Sequence, residues 1–408
     1  MRIVLACDLY WPAINGIATF TRNLAKGLSA RGHEVLVIAP SQDGKKFVET
    51  DDNYQIARTT SIPFPFFPNY RMVLNPQPEV KKIITDFKPD LVHIQTPLGL
   101  GLAARNSARK LNIPVVATNH AMPENVQDNL KQMRLMAPFA EPLASLVKEY
   151  GLRFHSNVDY ITMPTQAAVK MFLDEKEFKM PLEAVSNGID LSRFSPGEVK
   201  AQFKSYFGIP KNKPIILYVG RVDGEKHIST LVRAMPKVLA EIDAHLVIVG
   251  HGNDAENLRE LIREFDLLSN VTMTGRVDDE DLAPLYRCGT VFVMPSPAEL
   301  QCLTLLEAMA TGLPSVAVNA GALHELCQDG LNGYLCKPDD SKSMSTKIIA
   351  ILKDEKLQSN MGVQALRIAK THDLEFTLTR FEEIYAEVLK NYKPRKPFSA
   401  KLRSFVSS

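Results

Sequence analysis

The sequence predicts an α/β protein made of two doubly wound domains, each built on a parallel sheet, followed by a C-terminal helix and a basic tail. Three observations carry this. At 408 residues the chain is longer than one domain of roughly 100–200 residues. Short, continuous, β-branched apolar runs alternate with helical patterns in two separate series, as expected of strands covered by helices on both faces. The composition, 45% hydrophobic and 23% charged, is that of a globular chain able to fill sizeable cores, which excludes a disordered or fibrous class.

In the first series the runs fall at 3–7, 35–39, 91–94, 115–118 and 160–163, and residues 1–190 form the N-terminal domain. Val185-Ser186-Asn187-Gly188-Ile189-Asp190 and then Ser195-Pro196-Gly197 make a turn-rich stretch where one alternation stops and the next has not begun. The second series, at 215–219, 246–249, 271–274, 291–294 and 315–318, defines a C-terminal domain over 200–375. Residues 376–389 place Leu378, Phe381, Ile384, Tyr385 and Val388 at helical spacing, one buried stripe of a final helix. Lys393-Pro394-Arg395-Lys396-Pro397 stops that helix, and 390–408 are the tail.

Lys plus Arg is 48 and Asp plus Glu is 46, a net charge of +2 that argues against electrostatic wrapping of nucleic acid. The tail carries Lys390, Lys393, Arg395, Lys396, Lys401 and Arg403 without an acid, so its +6 leaves the rest of the chain at −4. Five cysteines with no CxxC pair fit reduced thiols in a cytoplasmic protein better than a disulfide framework or a zinc site, and no structural metal is expected. The run 3–7 is too short for a signal-peptide core, and no apolar stretch reaches the roughly 20 residues of a membrane span. Any membrane contact is expected to be peripheral, at the inner face.

The residues that can carry chemistry sit where strands end. After the first strand, Asn15-Gly16 opens a helical segment, and a glycine there lets backbone N–H groups and a helix N-terminus approach a phosphate or sugar; Gly16 alone reads equally well as a turn. In the second domain Gly220-Arg221-Val222-Asp223-Gly224-Glu225-Lys226 follows the first strand. Arg221 as a fork and Lys226 as a point charge can clamp a diphosphate, against the alternative of a solvated loop with an internal Glu225 pair. Gly250-His251-Gly252 and Gly275-Arg276-Val277 end the next two strands. They are either turns or places where a nucleotide base is read by main chain near Arg276 and Val277. The acids 278–281 read as a helix start rather than a metal cluster.

Glu299 and Glu307, eight positions apart, flank an apolar loop and a helix start, so both can reach hydroxyls of one sugar nucleotide while the amides of Leu303 and Thr304 meet its diphosphate. His120 ends the strand 115–118 and faces the crevice where α/β sheets bind ligands, although a lone histidine is also often structural.

Taken in order, Asn15-Gly16, His120, Gly220-Arg221 with Glu225-Lys226, Gly250-His251-Gly252, and Glu299 through Glu307 into Ala308-Met309-Ala310 resemble glycosyltransferase family 4, over nearly the whole chain to about residue 389. The resemblance implies the GT-B fold, two Rossmann-like domains facing across a cleft, and retaining hexosyl transfer from a nucleoside diphosphate sugar, with no cofactor and no metal. It implies a catalytic set of His120, Glu299, Arg221 and Lys226. To Arg221, Lys226 and Glu299 the donor-binding set adds Gly16, Gly220, Gly250, Arg276, Val277, Leu303, Thr304 and Glu307. Within these, Arg221 and Lys226 match the diphosphate clamp, Glu307 the ribose-binding glutamate and Glu299 the one that contacts the donor sugar, while Gly16 and His120 lie on the acceptor side near the anomeric carbon.

Many members have Gly-Phe-Gly after the first glutamate, where this chain has Leu300-Gln301-Cys302; the donor-sugar pocket is therefore expected to be polar at Gln301. Together with Asn15-Gly16 this looks like the diacylglycerol glucosyltransferases. The implied reaction is transfer of glucose from UDP-glucose to a membrane lipid such as diacylglycerol, with a polysaccharide or soluble sugar as the other acceptor. A lipid acceptor also has its own sequence support. The apolar stretch 133–139 with Leu143, Leu146 and Val147, the run Phe64-Pro65-Phe66-Phe67, and a basic tail interleaved with Phe398, Leu402, Phe405 and Val406 suit an anionic lipid surface. The rival classes are a sugar-nucleotide epimerase and a non-catalytic sugar-nucleotide-binding protein.

Overall fold

The computed structural model describes residues 1–13, 15–64, 67–120 and 139–394, the side chains of 67–70 excepted. In chain order the first half holds β1 (Arg2–Ala6), α1 (Gly16–Ala30), β2 (Glu34–Pro40), β3 (Phe47–Asp51), β4 (Tyr54–Thr59), β5 (Ile62–Phe64) and β6 (Phe67–Met72). It continues through α2 (Gln77–Phe87), β7 (Leu91–Ile94), α3 (Gly99–Lys110), β8 (Val115–Thr118), α4 (Ala140–His155), β9 (Tyr160–Met163), α5 (Gln166–Leu173) and β10 (Leu182–Ala184). The second half holds α6 (Ala201–Tyr206), β11 (Ile215–Val219), α7 (Ile228–Leu239), β12 (His245–Val249), α8 (Ala255–Glu264), β13 (Val271–Gly275) and α9 (Asp279–Arg287). After it come β14 (Val291–Met294), α10 (Leu303–Ala310), β15 (Ser315–Val318), α11 (Leu323–Leu326), β16 (Gly333–Cys336), α12 (Ser341–Lys353), α13 (Glu355–Lys370) and α14 (Leu374–Asn391).

Every apolar run read from the sequence is a strand, and most are buried along their whole length, because helices cover both faces of each sheet. The second sheet runs β13-β12-β11-β14-β15-β16, all parallel, so the order reverses between β11 and β14. The first runs β10-β9-β8-β7-β1-β2-β4-β3 and reverses between β1 and β7. At such reversals the connecting helices leave on opposite faces and open a crevice beyond the carboxyl ends of the strands. Arg221 and Glu299 follow the two strands that flank one crevice, and Gly16 follows β1 at the other.

The sheets are parallel except at one edge, where β3 pairs antiparallel with β4, and a separate β5–β6 hairpin follows; β16 was likewise not anticipated. Helix α14 does not stay with the second domain. Leu378, Phe381, Ile384, Tyr385 and Val388 are buried in the N-terminal core beside Leu5, Phe20 and Leu24. Gly27 of α1 makes this crossing possible, since a Cβ there would sit 2.4 Å from Leu378 Cδ1. Arg31 completes it by donating to Glu375 and, at 2.6 Å, to Glu382.

The chain therefore crosses between domains twice, after β10 and between α13 and α14. Where the crossings meet, Ile189 N–H donates to His372 O at 2.8 Å and Leu374 N–H to Ile189 O at 3.0 Å. Among the described residues no helix is long and apolar enough to span a membrane. Residues 65–66, 121–138 and 395–408 lie outside the described residues, and with them most of the aromatic run, the segment after His120, most of the apolar stretch 133–139 and nearly all of the tail.

Candidate active site

Three glycines with positive φ end three adjacent strands: Gly220 at 156°, Gly250 at 132° and Gly275 at 71°. Gly220 N–H donates to Val249 O and Gly250 N–H to Gly275 O, both at 3.0 Å, so the three loops are tied edge to edge. A Cβ on Gly250 would stand 1.9 Å from Gly220 O, and one on Gly252 2.3 Å from Val222 O. These glycines let backbone pack on backbone, and that packing holds the loop bearing Arg221 and Lys226 in place. Arg276 is exposed at the end of β13, with Val277 half-buried beside it.

The two cations of that loop are already matched by carboxylates. The Arg221 guanidinium forks onto Asp223 and Glu225. Asp223 also accepts the N–H of Asn253 at 2.9 Å, and Tyr218 OH donates to Arg221 O at 2.8 Å. Lys226 Nζ lies 2.6 Å from Glu299 Oε1 and 4.0 Å from Glu225 Oε1. Burial opposes the charge on Lys226, but Glu299 and Glu225 outweigh it and hold the ammonium above its ordinary range. The sequence anticipated a pair with Glu225 only. Glu299 and Lys226, 73 residues apart, form the bridge between the two loops of the crevice.

Four consecutive residues of the second loop go to four different places. Glu299 meets Lys226. Leu300 enters an apolar cluster of the N-terminal domain with Met163, Ala168 and Val169, and its carbonyl accepts from Thr165 Oγ1 at 2.8 Å. Gln301 turns to the first crossing, its Oε1 accepting Asn187 N–H at 2.8 Å and its Nε2 donating to Ser186 Oγ at 2.9 Å. Cys302 is buried in the C-terminal core and precedes α10. The expectation of a polar donor pocket at Gln301 is thereby corrected: both ends of the amide are spent on the interdomain linker.

Among the described residues no side chain caps α10, and the N–H groups of Leu303 and Thr304 have no intrahelical acceptors, at the positive end of the helix. One turn further, Glu307 is buried and accepts from Tyr286 OH at 2.5 Å. Burial raises its pKa to about 7, although Tyr286 and Arg193 pull the other way. Tyr286, on α9, carried no local sequence signal; only the fold brings it to Glu307.

On the opposite wall Asn15 caps α1 by accepting Ala18 N–H at 2.8 Å. Among the described residues a Cβ on Gly16 would meet only Leu303 Cδ1, at 3.9 Å, so the N-termini of α1 and α10 face each other across the gap. His120 is half-buried, tilted on the Phe20 ring at 5.0 Å, with Nε2 3.0 Å from Gln95 Oε1. Burial, with His155 adding to it, pulls its pKa down to about 3, so it acts as a neutral hydrogen-bonding ring. The amide oxygen of Gln95 assigns the proton to Nε2 and leaves Nδ1 an acceptor. Gln95, at the end of β7, was not anticipated. Asp279 at the start of α9 pairs with Arg193 at 2.9 Å.

Two family models match in succession: "Glycosyltransferase Family 4" over residues 14–193 and "Glycosyl transferases group 1" over 199–367. The alpha-monoglucosyldiacylglycerol synthase of Streptococcus pneumoniae is 30% identical over 340 residues, 82% of this chain and 75% of that protein. A GDP-mannose-dependent alpha-mannosyltransferase of Corynebacterium glutamicum is 27% identical over 95% of this chain and 89% of its own length. Among solved structures, Anabaena HepE, in complex with UDP-glucose, superposes with a TM-score of 0.72 at 18% identity, covering 95% of this chain and 100% of that one. The sequence matches and the two facing Rossmann-like domains lead to one conclusion: the chain belongs to glycosyltransferase family 4 and is a glycosyltransferase of GT-B architecture.

Proposed function

We propose that the enzyme moves glucose from UDP-glucose, with retention of the α configuration, to a hydroxyl of a membrane lipid such as diacylglycerol. The Lys226–Glu299 pair beneath the uncapped start of α10 carries the reading: it is a closed ion pair that a sugar diphosphate can open, phosphate taking Lys226 and a sugar hydroxyl taking Glu299. Arg221 and Lys226 then hold the diphosphate with the amides of Leu303 and Thr304, Glu307 accepts from the ribose, and the base lies by Arg276 and Val277, with Gly220 and Gly250 keeping the loops in register. The reading requires no metal, since these cations and the helix end supply the positive charge at which the leaving diphosphate develops its own.

The acceptor hydroxyl approaches from the Gly16 side. Front-side displacement lets the leaving phosphate oxygen take its proton, so neutral His120 orients hydroxyls rather than acting as a strong base. A lipid acceptor is supported by the name of the Streptococcus pneumoniae relative. It is supported too by α4, where Leu146 and Tyr150 are exposed to 64% and 39% on the face that continues from Phe139, exposed to 60%. Such a stripe suits a peripheral position at the inner face of a membrane.

The test incubates the full chain with UDP-glucose, UDP-N-acetylglucosamine or GDP-mannose and either diacylglycerol vesicles or soluble sugars, with products read by mass spectrometry and the anomeric coupling by NMR. An α-glucosyl lipid from UDP-glucose is expected. Transfer only from GDP-mannose overturns the donor, transfer only to soluble sugars overturns the acceptor, and epimerised donor without transfer overturns both.

A further inference from the structure

Gln301 is two residues from Glu299 and makes no use of its polarity inside the crevice. Its buried amide is fixed at both ends by the crossing at Ser186-Asn187. Ser186 is itself a junction. Its Oγ accepts from Gln301 Nε2 at 2.9 Å and from Gly188 N–H at 3.1 Å, which fills both lone pairs. The hydroxyl proton therefore points to His372 Nδ1, 2.9 Å away, on the second crossing. Thr377 Oγ1, on α14, donates to the carbonyl of the same serine at 2.9 Å. One glutamine thus joins the loop after β14 to both strands of the hinge.

Just before Gln301 the same loop touches both domains: Glu299 holds Lys226 in one, and Leu300 is seated in the other. A rotation at the hinge that shifts Ser186 is delivered to Glu299 through two peptide units. We propose that Gln301 is a positioning residue for glycosyl transfer, coupling the hinge at Ser186 to the placement of the Glu299 carboxylate, so that domain closure and donor alignment are a single motion. The inference rests on the reading above that Glu299 contacts the donor sugar.

The experiment compares full-length Gln301→Leu, Ser186→Ala and the double variant with the parent chain. Three readouts are taken: UDP affinity by calorimetry, kcat and KM for UDP-glucose, and the radius of gyration by X-ray scattering with and without UDP-glucose. Because the diphosphate and ribose contacts lie elsewhere, UDP affinity is expected to stay within about twofold in each variant, while kcat falls about 10- to 100-fold through misplacement of the sugar. The compaction that donor induces in the parent is expected to shrink, and the double variant to be no slower than the slower single one.

Wild-type kcat in Gln301→Leu, losses that multiply in the double variant, or unaltered scattering would each overturn the coupling. If Gln301→Leu fails to fold, Ser186→Ala carries the same comparison. A parent chain that binds no UDP and transfers nothing defeats the donor reading instead.

Discussion

At Glu307, the residue proposed to take the ribose hydroxyls, the carboxylate stands in an environment that resists its charge, with a pKa near 7 caused chiefly by burial. Between its ordinary 4.5 and about 7 the folded chain keeps a proton that the unfolded chain has released, so stability falls as pH rises through that window. Urea midpoints at about pH 5.5 and 7.5 are expected to show this fall, and Glu307→Gln to flatten it. Contact with ribose hydroxyls would favour the ionised form, so UDP binding near pH 7 is expected to release about half a proton, read by calorimetry in buffers of different ionisation enthalpy.

Lys226 and Arg221 separate by the same reasoning. Lys226→Ala frees Glu299 at a partly open site and is expected to lower kcat/KM by about 10²-fold or more with little change in Tm. Arg221→Ala leaves Glu225, whose side chain is only 3% exposed, with its guanidinium partner gone. It is expected to cost roughly 3 kcal/mol of stability as well as activity. Thermal unfolding of the two variants beside their kinetics checks the distinction.

The elements show what a sequence declares and what it withholds. Strands 91–94, 115–118, 160–163, 215–219, 291–294 and 315–318 were legible to the residue, because a strand buried on both faces is a bare apolar run bounded by turn residues. Strand β4 was not, since Gln55 and Arg58 interrupt it; Arg58 is nonetheless buried, paired with Glu49 at 2.7 Å, a partner on the neighbouring strand. The candidate site divides the same way. Motif residues on loops after β1, β8, β11 and β14 were readable, whereas Gln95, Tyr286 and the destination of Gln301 depend on which loop lies across from which.

Helix α4 bears a prediction of its own. With Phe139, Leu146 and Tyr150 on its outer face, Phe139→Ser with Leu146→Ser is expected to reduce sedimentation with diacylglycerol-containing anionic vesicles by about tenfold. Transfer to a short-chain water-soluble acceptor should persist. Equal sedimentation of parent and variant removes the helix from membrane contact.

On the scale of the whole molecule the two halves are unequal. The C-terminal domain completes its core between Ile189 and Ala369, before α14 begins, but the N-terminal core includes five large side chains of α14. At roughly 1.5–3 kcal/mol for each such side chain buried, their sum rivals the 5–15 kcal/mol by which a whole domain is stable. Residues 1–190 expressed alone are therefore expected to be unfolded by circular dichroism and proteolysis, and a chain ending at 370 to keep only a folded C-terminal domain. Cooperative unfolding of the 1–190 fragment would contradict this.

Synthesis on the ribosome runs into that return of α14. The half made first lacks a wall until the last helix has cleared the exit tunnel, while the half made second has everything it needs earlier. The order in which the nascent chain matures is thus the reverse of the order in which it is translated, and the first-born sheet must wait, partly bare, until α14 has emerged.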